Sequence, residues 1–224
     1  MGFLLKGAFM SEAKASHFRV DFDYDGQIKV CAQQLETLRR DFSDTWGSLL
    51  GGEGFRKEFK LIAKLLIRIS SESHDHRATV DFVTKKAQLH LKNRSDENSG
   101  KIKKDHLDGS TDLAHEHMVP VQVALEYLVS LQGQALTEPL KNIGYRALID
   151  KPDAHGVLDR GGSLLRQKLP AGVTVKSVPP MFWGLARYDA AKLFDELDPV
   201  NKRAKDLHDA YKLRRDEFRR VMKL

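Results

Sequence analysis

One cysteine, Cys31, stands in 224 residues. An internal disulfide is therefore excluded, as is a zinc site built from thiolates. No run of 18 apolar residues occurs, so no membrane partner or spanning helix is expected. The apolar stretch near the start is short and carries Lys6 in its middle, which does not suit a secretory signal. Gly2 lacks the downstream Ser or Thr of a myristoylation signal. An intracellular, cytoplasmic protein is the expectation. Gly51, Gly52 and Gly54 lack the Gly-Lys-Ser/Thr ending of a phosphate loop and read as a hinge. Ser163 lacks the Gly-x-Ser-x-Gly elbow of an esterase nucleophile.

A hydrophobic content of 41% supports a core, and a charged content of 30% suits a helical surface. The net charge is +6, and its location matters more than its size. Positions 201–224 hold nine Lys/Arg against four Asp/Glu, leaving the rest of the chain close to neutral. Such a basic terminal helix favours a polyanion, and DNA is the expected partner. Lys202, Arg203, Arg214, Arg215, Arg219 and Arg220 are its candidate phosphate contacts. The opposing reading is a solvated helix laced with acid–base pairs one turn apart.

The fold expected is α+β and predominantly helical, with two or three short strands and a basic C-terminal helix. Residues 1–20 read as a loose arm and 21–224 as one domain. Residues 18–24 alternate as a strand. Ile28, Cys31, Leu35, Leu38 and Phe42 recur at helical spacing, which places Cys31 in a core. A second helix begins near Phe55, with Phe55, Phe59, Ile62, Leu66 and Ile69 facing inward. Its Lys57, Lys60, Lys64 and Arg68 form a stripe that is either solvated or in contact with phosphates. A third helix is expected over 78–92, followed by a long polar loop at 93–110. Beyond the central helix at 121–131 come a strand at 144–150 and a proline-led turn at 152. A short helix near 164–169, a strand at 172–178 and a helix over 188–197 follow. Asp198 and Pro199 then cap the last helix.

Six of the nine histidines lie between 74 and 117, including His74/His76 and His115/His117 around single acids. In an extended segment, residues two apart share a side, so each pair can present two imidazoles together. Two imidazoles and a carboxylate suit a borderline divalent metal. Exposed histidines satisfied by solvent are the plainer reading, held more firmly for His74/His76 than for His115/His117, which Pro120 fixes. Phe182, Trp183 and Tyr188, with Arg187 beside them, offer base stacking or, more plainly, core packing.

Glu116, His117, Met118, Val119 and Pro120 together resemble the first motif of the HNH, or ββα-metal, nuclease family. The resemblance implies a metal-dependent endonuclease in which His117 is the general base and Asn142 orients it. It implies that His115 or Glu116, with His155, holds a divalent cation such as Mg, Mn or Zn. The cation would stabilise the transition state and the leaving oxygen. The same stretch, with 146–151 and 165–170, looks like proteins carried by bacteria and phages, which implies a defence or mobile-element setting. A non-enzymatic nucleic-acid binder using the basic helix, and an interaction component of a larger assembly, remain open beside it.

Overall fold

The computed structural model describes residues 24–47, 55–71, 80–95, 113–151, 156–158 and 165–224. Helix α1 (Tyr24–Asp41) is followed by the single turn α2 (Ser43–Gly47) and by α3 (Phe55–Ile69). Strand β1 (Phe82–Thr84) runs directly into α4 (Lys85–Ser95). Then come β2 (Leu113–His117), α5 (Val121–Ser130), α6 (Thr137–Ile143) and β3 (Arg146–Asp150). A 3-10 turn at Pro180–Phe182 leads into α7 (Trp183–Ala190). Another at Phe194–Glu196 leads into β4 (Leu197–Pro199), and α8 (Lys202–Met222) closes the described chain. The molecule is α+β and mainly helical, around one small sheet.

The sheet has the order β2-β3-β1-β4 and is mixed, because β1 lies parallel to β3 while the outer pairs are antiparallel. Among the described residues β2 is therefore an edge. Side chains alternate across the sheet. Phe82, Ala147 and Ile149 face the main core, whereas Val83, Leu148 and Leu113 join a smaller cluster with Val80 and Ala87 of α4. The main core draws on Ile28, Cys31 and Leu35 of α1, as the helical spacing predicts.

Asp81, wholly buried, binds three elements at one corner. It accepts from the Arg146 amide at 3.0 Å and from Asn201 Nδ2 at 3.1 Å, and it pairs with Arg203 Nε at 3.2 Å. A buried carboxylate held by several donors fixes the start of α8 against β1 and β3.

Several sequence expectations are corrected. Four strands form among the described residues, not two or three. The segment near 78–92 begins as β1, because Val80, Val83 and Ala87 fit a short strand running into a helix as well as one continuous helical face. Ile62 of α3 is 47% exposed, and the buried face uses Phe59, Ala63, Leu66 and Ile67 instead. Residues 172–178 form turns rather than a strand. There the Thr174 amide donates to Ser177 Oγ, and Ser177 Oγ to the Gly172 carbonyl, so local hydroxyl bonds replace a ladder.

The helix expected over 188–197 ends at Ala190, where Lys192 takes a left-handed φ of 61°. Asp198 and Pro199 lie in β4, paired with Val83 and Phe82, and the N-cap of α8 is Asn201, whose side chain accepts from the Ala204 amide at 2.9 Å. Near 165–168 only a turn forms. The expected arm at 1–20, nearly all of the strand at 18–24, the Pro152 turn, His74, His76, His155 and nearly all of the 93–110 loop lie outside the described residues.

Candidate functional site: a cationic cleft beside the sheet edge

Along α3, residues three and four apart share a stripe. One stripe carries Phe59, Ala63 and Leu66 into the core, so Lys64 and Arg68 turn outward with Leu61 and Leu65 beside them. These four residues border a cleft of ≈ 1220 Å³ that is also lined by β2, by residues 120–123 at the start of α5, and by Arg166 to Leu169. Pro120 is the N-cap of α5, and it supplies no side-chain hydrogen bond. No acid occupies the first turn. The early amides of α5 therefore contribute positive potential to the cleft.

Four cations, Lys64, Arg68, Arg166 and Lys168, come from segments about a hundred residues apart in sequence and line this cleft. Burial, followed by the neighbouring Lys60, holds the Lys64 ammonium below its ordinary value. Among the described lining residues the acids are Glu116 and Glu126. Glu126 accepts from Gln122 Nε2 at 2.7 Å, and Glu116 pairs with Arg187. Among the described lining residues the cations outnumber the acids.

β2 ends on His117. Met118 N donates to Tyr145 O at 3.0 Å, extending the ladder in which Glu116 faces Ala147 and His117 faces Arg146. His115 and His117 share one face of the strand, as their spacing predicts, while Glu116 turns to the other. There its carboxylate meets Arg187, which is wholly buried and also donates to the carbonyls of His117 at 2.8 Å and Met118 at 2.6 Å. Close approach of α7 to this corner requires Gly184, since a Cβ there would lie 2.6 Å from Met118 Cβ. Burial, then Arg146, Arg68 and Arg187, lower the His117 pKa to about 3. The ring is neutral at pH 7, and a base this weak draws a proton from water poorly.

Of the residues expected to form a metal-dependent active site, His115, Glu116 and His117 all border the cleft, and His155 lies outside the described residues. Strand alternation sets Glu116 on the opposite face of β2 from the two imidazoles, and Arg187 holds its carboxylate. Asn142 sits half-buried on α6 and is not among the described residues lining the cleft. Among the described residues no three His, Cys, Asp or Glu side chains gather to hold a metal ion.

The expected phosphate contacts on α8 are largely tied to the protein itself. Arg203 pairs with Asp81, donates to the Gly144 carbonyl at 3.0 Å, and stacks 4.0 Å from the Tyr145 ring centroid. Arg215 bridges Asp189 and Asp195, with 2.7 Å to each. Arg214 pairs with Glu217 at 2.9 Å, and Arg220 bonds the Asp216 carbonyl at 3.3 Å. Arg219 is half-buried, and Lys202 remains exposed. Much of the charge excess on α8 therefore serves docking and capping.

Sequence reading did not single out Arg187 as a clamp. The available signal was an arginine inside the apolar run from Met181 to Ala191, which must find a carboxylate if that run is buried. Comparison with protein-family models, with curated proteins and with solved structures returns no match.

Proposed function

We propose that this protein binds nucleic acid and holds its phosphates in the cleft between α3, β2 and the start of α5. The observation that carries this reading is the gathering of Lys64, Arg68, Arg166 and Lys168 on one concavity where, among the described lining residues, cations outnumber acids. Clustered cations in a cleft focus the field and favour a polyanion. The exposed Lys202 and Arg220 on α8 add long-range attraction rather than the grip. The test is fluorescence anisotropy with a DNA oligomer across a salt series. Lys64→Glu with Lys168→Glu is expected to weaken binding about tenfold or more at low salt. Unchanged affinity in that variant would remove the cleft from the interaction.

A second reading, a metal-dependent endonuclease with His117 as base, is favoured by one observation. His115 and His117 stand on the same face of β2, and both border the cleft. The described residues do not by themselves supply its metal donors, so no step is derived through a cation. Plasmid incubated with Mg, Mn, Zn or Ni separates the two readings. Cleavage lost in His117→Ala, with binding kept, supports the enzyme, and intact plasmid under every ion leaves a binder.

A further inference from the structure

The cleft is not lined by charge alone. Leu61 is 69% exposed and Leu65 is 56% exposed, one turn apart on α3 and adjoining the stripe of Lys64 and Arg68. Val121 and Leu169 add further aliphatic surface. The aromatic residues that the sequence offers as stacking platforms are turned inward instead. Trp183 Nε1 donates to the Val178 carbonyl at 2.8 Å, Phe182 packs on Tyr211 and Phe218, and Tyr188 is wholly buried. The surface thus interleaves cations with aliphatic side chains. Its complement is a chain of regularly spaced anions joined by compact, weakly polar units. Sugar–phosphate chains have that form, with phosphates for the cations and furanose faces for the leucines.

We infer that the cleft recognises the sugar–phosphate chain itself, with phosphates on Lys64, Arg68 and Lys168, furanose rings on Leu61 and Leu65, and bases left outside. This rests on the nucleic-acid reading and narrows it to recognition independent of sequence. Base stacking changes affinity by about fivefold to a hundredfold per base, so its absence is measurable.

Three probes test the inference at one low salt concentration: a thymidine oligomer of about 20 nucleotides, an abasic oligomer of equal length, and poly-L-glutamate of matched charge. The thymidine and abasic oligomers are expected to bind within about threefold of each other, with polyglutamate about tenfold weaker or more. Leu65→Ser removes exposed aliphatic surface without altering charge. It is expected to weaken both oligomers by about threefold or more while leaving the slope of log affinity against log salt unchanged. An abasic oligomer about tenfold weaker than thymidine overturns the inference and leaves nucleic-acid binding standing. Full affinity in Leu65→Ser, or polyglutamate equal to the oligomers, overturns it as well. No binding to any of the three removes the parent reading too.

Discussion

The guanidinium of Arg187 meets the carboxylate of Glu116 across 71 residues of sequence, and it also holds the two carbonyls that follow that acid. One buried side chain thereby sets the exit of β2 and the entry of α5, the corner on which the cleft is built. Replacing Arg187 with methionine strands a largely buried carboxylate and two carbonyl acceptors without their donor. A loss of about 3–5 kcal/mol in unfolding free energy is expected from denaturant titration. Arg187→Met combined with Glu116→Gln is expected to recover about 1–2 kcal/mol of it, because the charge left behind is gone. Equal losses in the single and double variants would show that the charge left on Glu116 is not the source of the cost.

Gly184 gives a second prediction at the same corner. A methyl group there would lie 2.6 Å from Met118 Cβ, far inside contact distance. Gly184→Ala is expected to cost about 1–3 kcal/mol despite the better helix propensity of alanine. A thermal melt equal to or above that of the parent would show that α7 moves away at no expense.

His117 provides a dependence on pH. The folded ring titrates near 3, chiefly because it is desolvated, whereas the unfolded ring takes its proton near its ordinary value of about 6.5. Between those values unfolding binds a proton. The contribution of His117 is therefore complete above about pH 6.5 and declines as pH falls toward 3, by up to about 1.4 kcal/mol per pH unit. His117→Gln, which cannot be protonated, is expected to lose that part of the slope between pH 7 and pH 5. A His117 ring resonance that titrates near neutrality would contradict this directly.

Salt dependence distinguishes cations that touch phosphates from those occupied elsewhere. Each lost phosphate contact reduces the slope of log affinity against log salt by about 0.7 for a single strand. Lys64→Ala or Lys168→Ala is expected to produce that change. Arg215→Ala is expected to reduce stability by breaking its bonds to Asp189 and Asp195 while leaving the slope intact. The reverse pattern would return the binding role to α8.

Much of the fold is written in spacing. Ile28, Cys31 and Leu35 mark α1, and Ala204, Leu207, Tyr211 and Phe218 mark α8, because long helices repeat their buried face. Residues 146–150 could be read as a strand because an apolar run is bounded by Gly144 and Pro152. What escaped depended on partners remote in sequence. β1 and β4 are three residues each, too short for periodicity, and they exist because Phe82 meets Pro199 and Ala147. Lys192 ends α7 in a conformation usually given to glycine, so the sequence carries no stop signal.

The cleft was half legible. Lys64 and Arg68 were on view as a stripe, and His115 and His117 as a pair on one strand face. That Arg166 and Lys168 would join them is tertiary information. The fate of the α8 arginines was equally hidden, since counting charges cannot tell which ones Asp81, Asp189 and Asp195 have already engaged.

Among the described residues β2 forms the outer rim of the sheet, and its pairing pattern turns the His117 carbonyl away from β3. An unoccupied acceptor at such a rim is an invitation to a strand from another molecule. By filling that acceptor at 2.8 Å, Arg187 is expected to limit self-association as well as to shape a corner. Its loss should therefore be seen in light scattering that rises with concentration, while the Gly184→Ala protein, with the arginine in place, stays dispersed.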